Sequence, residues 1–142
     1  MEVRGRSMPG SGRDIPPAEL EVLGALWRLE SGTVREVLED LRGIGRRLAY
    51  TTVMTLLGRL ERRGYVECKK DAPAHVYRPR ISRERVTADR VGALAKQLGA
   101  GHAPSLILQL VEAQKLSLGD LRELRKLLTG LEEDARKRGS SK

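Results

Sequence analysis

The stretch Arg46-Arg47-Leu48-Ala49-Tyr50-Thr51-Thr52-Val53-Met54-Thr55-Leu56-Leu57-Gly58-Arg59-Leu60-Glu61-Arg62-Arg63-Gly64 decides the reading of this chain. Val53, Leu56, Leu57 and Leu60 recur at helical spacing on one face, with Ala49 one turn earlier. At about 100° per residue, Thr51, Thr55, Gly58 and Arg62 fall opposite that stripe, and Thr52 and Arg59 flank it. One face is therefore built for burial and the other for contact. Gly64 is placed to end the helix as its C′ residue. A helix that opens with exposed Tyr and Thr and is framed by Arg suits a DNA groove, because short hydroxyls reach base edges while guanidinium groups meet phosphates. An ordinary amphipathic helix with a solvated face has the same pattern, so the surroundings decide.

Upstream, Pro16-Pro17 introduces a helix over about Ala18 to Leu29 with Leu20, Leu23, Leu26 and Trp27 as its apolar side and Gly32 as its breaker. Thr33-Val34-Arg35-Glu36 is a capping-box pattern. It opens a second helix, Val34 to Arg42, that buries Val34, Val37, Leu38 and Leu41 and ends at Gly43-Ile44-Gly45. Three short helices with tight turns, the third basic at both ends, read as helix-turn-helix. Downstream, Tyr65–Lys70 and His75–Pro79 are short strand-like runs around the turn residues Asp71-Ala72-Pro73-Ala74. A hairpin directly behind a helix-turn-helix is the wing of a winged helix. Lys69, Lys70 and Arg78 on that hairpin are positioned to straddle phosphates, although lysines also protect an exposed strand edge.

From Ser82 the pattern is helical again. Arg83 to Leu98 carries Val86, Val91, Leu94, Ala95 and Leu98, and Gly99-Ala100-Gly101 breaks it. Leu106–Val111 is strongly apolar. Ser117-Leu118-Gly119-Asp120 caps a last helix in which Leu121, Leu124, Leu128 and Leu131 step by 3, 4 and 3 residues. These helices carry more apolar surface than so short a segment buries alone, which implies a partner, most economically a second copy. The expected organisation is a flexible tail over 1–13, a winged-helix DNA-binding domain over 14–80, a helical dimerisation domain over 81–134 and a second flexible tail over 135–142. The interface is expected at Leu106, Leu110, Leu121, Leu124, Leu128 and Leu131.

Charge supports the DNA reading. The 142 residues carry a formal net charge of +8, and residues 42–80 alone hold ten Arg or Lys against three acids. That concentration favours a nucleic-acid partner. Expected phosphate contacts are Arg46, Arg47, Tyr50, Arg62, Lys69, Lys70 and Arg78. Phe is absent and only 3% of residues are aromatic, so the core must be aliphatic. A single Cys excludes an internal disulfide. His75 and His102 have no metal-ligand spacing, no serine sits in a nucleophile elbow, and no glycine-rich loop has phosphate-binding spacing. No metal, cofactor or catalysis is expected. Cys68 is read as a packing residue before a redox handle. With no long apolar run, a cytoplasmic protein without membrane insertion is expected.

Taken in order, these segments resemble the penicillinase repressor family, the BlaI, MecI and CopY group of bacterial winged-helix regulators. The resemblance runs through Ala18–Leu23, Leu26-Trp27 and Thr33–Val37. It continues through Tyr50–Leu57, Arg59-Leu60, Gly64-Tyr65, Val76–Pro79, Leu110–Glu112 and Lys115–Ser117, and covers about residues 15 to 132. It implies a dimeric transcriptional repressor that binds an inverted-repeat operator before β-lactamase or related stress genes. The DNA-reading positions it implies are Thr51, Thr52, Thr55 and Arg59. Some relatives have a basic residue in place of Thr51 or Met54, which implies a different preferred operator. The resemblance also implies induction through a membrane sensor and protease pathway. The family's Asn-Phe cleavage pair corresponds to Gln109-Leu110 here, and the Cys-x-Cys motifs of the copper-responsive branch are absent. Two other readings are a winged helix used as a protein-interaction module and a small-molecule-sensing regulator. Strong salt dependence of duplex binding separates the first from a DNA reader, and a thermal-shift screen tests the second.

Overall fold

The computed structural model describes residues 9–71, 73–99 and 103–140. Helix α1 (Pro17–Leu29) starts on Pro16-Pro17, where a missing amide costs nothing. It buries Val22, Leu23, Ala25 and Leu26, with Leu20 and Trp27 only half-buried at its flanks. The apolar side is thus turned from the expected one, and it includes a carboxylate, Glu19. The helix ends on Glu30, not Gly32, and Glu30 sits at φ 72, a strained value for a residue with a Cβ. Gly32 instead exchanges two backbone hydrogen bonds with Tyr77.

Helix α2 (Val34–Gly43) opens on the predicted capping box. The Thr33 hydroxyl accepts from the Glu36 amide at 3.2 Å, and the Thr33 amide donates to Glu36 Oε1 at 2.8 Å. Val34, Val37, Leu38 and Leu41 are buried. Helix α3 (Tyr50–Arg62) buries Val53, Leu56, Leu57 and Leu60. Ala49 is its exposed N-cap rather than part of the buried stripe. Its C-terminus is a Schellman motif, with the Gly64 amide on the Glu61 carbonyl and the Tyr65 amide on the Leu60 carbonyl. Gly64 at φ 83 supplies the left-handed turn this needs.

Strands β1 (Val66–Lys69) and β2 (Val76–Pro79) form an antiparallel hairpin with Glu67 opposite Arg78 and Cys68 opposite Tyr77. His75 lies exposed just ahead of β2 instead of within it. The three helices pack on one another, β1 lies against α3 and β2 against α1. Their shared core runs from Ile15 and Val22 through Leu41, Leu57 and Leu60 to Val66 and Tyr77. The architecture is mainly helical with one hairpin, a winged helix as expected.

Helix α4 (Arg83–Leu98) follows, anchored at its start by Trp27, whose indole donates to the Ile81 carbonyl at 2.9 Å. Contacts from α4 reach back to the segment before α1. Val86 is buried, the Gly12 amide donates to Asp89 Oδ2 at 2.8 Å, and Arg90 Nη2 donates to the Ile15 carbonyl at 2.7 Å. The Tyr65 hydroxyl donates to the Ser11 carbonyl at 2.9 Å. The segment around Gly12 is therefore a strap on α4, not a loose tail, and Gly12 itself is buried within a 3₁₀ turn, Gly12–Asp14. The chain divides into compact units between Gln97 and Leu98, so most of α4 belongs with the winged helix rather than with a segment beginning at 81.

The second unit holds α5 (Ala103–Ala113) and α6 (Leu118–Ser140). Ser117 and Asp120 cap α6 reciprocally, as their spacing predicted. Helix α6 runs to Ser140, well past residue 134, so the expected C-terminal tail is helical over most of its length. Glutamates and aspartate at 132–134 against Arg136 and Lys137 allow pairs at helical spacing that a reading from leucines alone passes over. Residues 1–8, Ala72, His102 and the Ala100-Gly101 part of the expected helix break lie outside the described residues.

Candidate nucleic-acid interface

One face of α3 is committed to the core. Four buried aliphatic side chains contribute roughly 6–12 kcal/mol of apolar transfer, an upper bound. The opposite face carries no such burden. Thr51, Thr52, Thr55 and Arg59 are all exposed, and together with the edge of Leu56 they line one open hollow. The four expected base-reading residues are thus neighbours on a single convex element. Tyr50 opens the helix 44% exposed, with Met54 beside the same face at 46%. The Arg35 guanidinium, from the first turn of α2, lies over the Tyr50 ring at 5.7 Å. Arg35 was absent from the sequence-based site, because fifteen positions and a change of helix separate it from Tyr50.

The expected phosphate-binding cations fall into two groups. Arg47, Arg62 and Lys69 are exposed and have no acidic partner among the described residues. Arg46, Lys70 and Arg78 are each held by a carboxylate. Arg46 Nε lies 3.1 and 3.0 Å from the two oxygens of Glu21 on α1. Lys70 Nζ lies 3.4 Å from Glu61 on α3, and Arg78 Nη1 lies 3.7 Å from Glu67 across the hairpin. Strand alternation puts Glu67, Lys69 and Arg78 on the outer face of the wing and turns Val66, Cys68 and Tyr77 inward. Arg63 differs from its neighbours on α3, since it reaches Glu19 Oε1 at 3.2 Å and so pairs a carboxylate that is only 2% exposed.

Cys68 is half-buried against the core and faces Tyr77. Burial pushes its thiol up, against a hydrogen bond from the Tyr77 side chain that pulls it down. A thiol held protonated in this way is a packing residue rather than a nucleophile. Burial, then the adjoining Cys68, pushes Tyr77 up to about 12. No cluster of His, Cys, Asp or Glu among the described residues has the arrangement of a metal site. No described helix is long and apolar enough to cross a membrane.

In the second unit, none of the described side chains from Pro104 to Gly139 is fully buried. Leu110, Leu121, Leu128 and Leu131 are 45–59% exposed, while Leu106 and Leu124 are half-buried. The Gln109-Leu110 bond lies inside α5.

Comparisons with known proteins bear on these surfaces. The family described as penicillinase repressor matches residues 15–130. Transcriptional regulator BlaI of Mycobacterium tuberculosis is 38% identical over 116 residues, covering 80% of this chain and 82% of that protein. The penicillinase repressor of Bacillus licheniformis is 27% identical over 114 residues, covering 80% and 88%. Among solved structures, the DNA binding domain of the repressor BlaI is 29% identical, covering 55% of this chain and 93% of that one with a TM-score of 0.46.

Proposed function

Because this chain belongs to the penicillinase repressor family, we propose that it is a transcriptional repressor that binds an inverted-repeat operator as a homodimer and controls β-lactamase or related resistance genes. The observation that carries this reading is the free side of α3, where Thr51 and Thr55, opposite a wholly buried stripe, share one open hollow with Thr52 and Arg59 at its flank. Threonine offers a hydroxyl to a base edge and a methyl to a thymine, and Arg59 offers a fork to guanine. Arg46, Arg47, Tyr50, Arg62, Lys69, Lys70 and Arg78 are assigned to phosphates, which position the protein on the duplex without reading its sequence.

Dimerisation is assigned to α5 and α6, with Leu106, Leu110, Leu121, Leu124, Leu128 and Leu131 at the seam. In support, this unit has no described buried residue of its own, and its leucines remain open to solvent. The names of the relatives point to regulation of penicillinase. Gln109-Leu110 stands where penicillinase-type relatives carry their Asn-Phe cleavage pair, so induction by cleavage at that bond is not assigned to this chain. Duplex binding measured from low to moderate salt tests the reading. With about eight phosphate contacts per dimer, the log–log slope is expected near −7, and a slope near zero would overturn it.

A further inference from the structure

We infer that Glu21, Glu61 and Glu67 are specificity-setting residues: each occupies a phosphate-binding cation with an internal carboxylate and so holds down sequence-independent affinity for DNA. The inference rests on the DNA-binding reading above. It stands on three separate pairs, Arg46–Glu21, Lys70–Glu61 and Arg78–Glu67, made from three different elements and all falling on cations of the candidate interface. A phosphate oxygen and a carboxylate oxygen compete for the same donors, so a duplex recruits these cations only by displacing the glutamate. On random sequence nothing offsets that exchange. On the operator, the contacts of Thr51, Thr55 and Arg59 fix the helix in its groove and hold the phosphates in register long enough to win it. Arg47, Arg62 and Lys69, with no acidic partner among the described residues, provide the unspecific grip that remains.

The pairs are exposed enough for exchange. Side chains of the cations are 46–59% accessible and those of the glutamates 27–46%. Exposed pairs of this kind are weak, and a weak latch suffices because its effect is multiplied over two protomers.

A double-mutant cycle on the full-length protein tests this without confusing it with net charge. Affinities for a random duplex are measured for wild type, Glu61→Gln, Lys70→Ala and the double variant, with Glu84→Gln as an exposed acid that makes no ion pair among the described residues. Glu61→Gln is expected to tighten random-duplex binding about two- to fivefold more than Glu84→Gln does, the range of an exposed ion pair. Lys70→Ala is expected to cost more in the Glu61→Gln background than in wild type, because the released lysine then contributes a full phosphate contact. Equal cost of Lys70→Ala in both backgrounds, with salt-dependent binding intact, would overturn this inference alone. Absence of salt-dependent binding in every variant would overturn it together with the DNA-binding reading.

Discussion

Glu19 occupies a position in α1 that periodicity gives to an apolar residue, yet the Arg63 guanidinium reaches it from the end of α3. A carboxylate so deeply placed is tolerable only with that partner, because an unpaired charge there is far costlier than an apolar residue. The pair therefore ties the close of α3 to α1 and keeps Arg63 out of the DNA-facing set. Tyr77 carries a second residue-scale consequence. Its hydroxyl is pushed from its ordinary 10.0 up to about 12, chiefly by burial. A raised folded value means that the folded chain holds this proton more tightly than the unfolded one. The associated stability is complete below pH 10 and is lost as pH rises towards 12. Chemical denaturation across that window is expected to show a steeper decline for wild type than for Tyr77→Phe. Parallel curves would show that Tyr77 ionises as freely in the folded chain as in the unfolded one.

At the scale of elements, legibility in the sequence followed locality. The Thr33–Glu36 and Ser117–Asp120 boxes and the Gly64 terminator involve partners within a few residues, and all three were readable from spacing. The buried stripe and contact face of α3 were readable because one helix carries both. Partners distant in the chain were not. Nothing near Gly12 announces that Asp89, 77 positions on, accepts from its amide, or that Arg90 donates to the Ile15 carbonyl 75 positions back. The same is true of Glu21 with Arg46 and of Arg35 with Tyr50, which link different helices. The strap yields its own expectation. A Cβ at Gly12 lies 2.6 Å from Val86 Cα, which is backbone and cannot swing aside. Gly12→Ala should therefore lift the strap and destabilise the chain by about 1–3 kcal/mol. In hydrogen exchange the Gly12-position amide and those near Val86 should lose protection, and unchanged protection would mean that the strap does not clamp α4.

At the scale of the whole molecule, a unit with a mainly aliphatic core is joined in one chain to a unit with no buried residue among those described. On the proposed dimer, the exposed leucines along α5 and α6 would make the second unit's stability depend on association. Replacing Leu124 and Leu128 with Asp is expected to place unpaired charge in the seam and abolish dimers at micromolar concentration. Sedimentation that still shows a dimer would move the interface elsewhere. On the same proposal the loss of dimers would also weaken operator binding, because an inverted repeat is matched by two α3 helices presented together.

Division of labour between α3 and the wing is tested most directly by paired titrations at one fixed salt concentration, using an operator selected from random duplexes and a scrambled control. Thr55→Ala is expected to cost about 1–3 kcal/mol on the operator and little on the control, as a base contact does. Lys69→Ala, which removes an unpaired cation from the outer face of the wing, is expected to weaken both by similar factors. Equal losses from Thr55→Ala on both duplexes, or a loss confined to the operator from Lys69→Ala, would contradict the assignment of bases to α3 and phosphates to the wing.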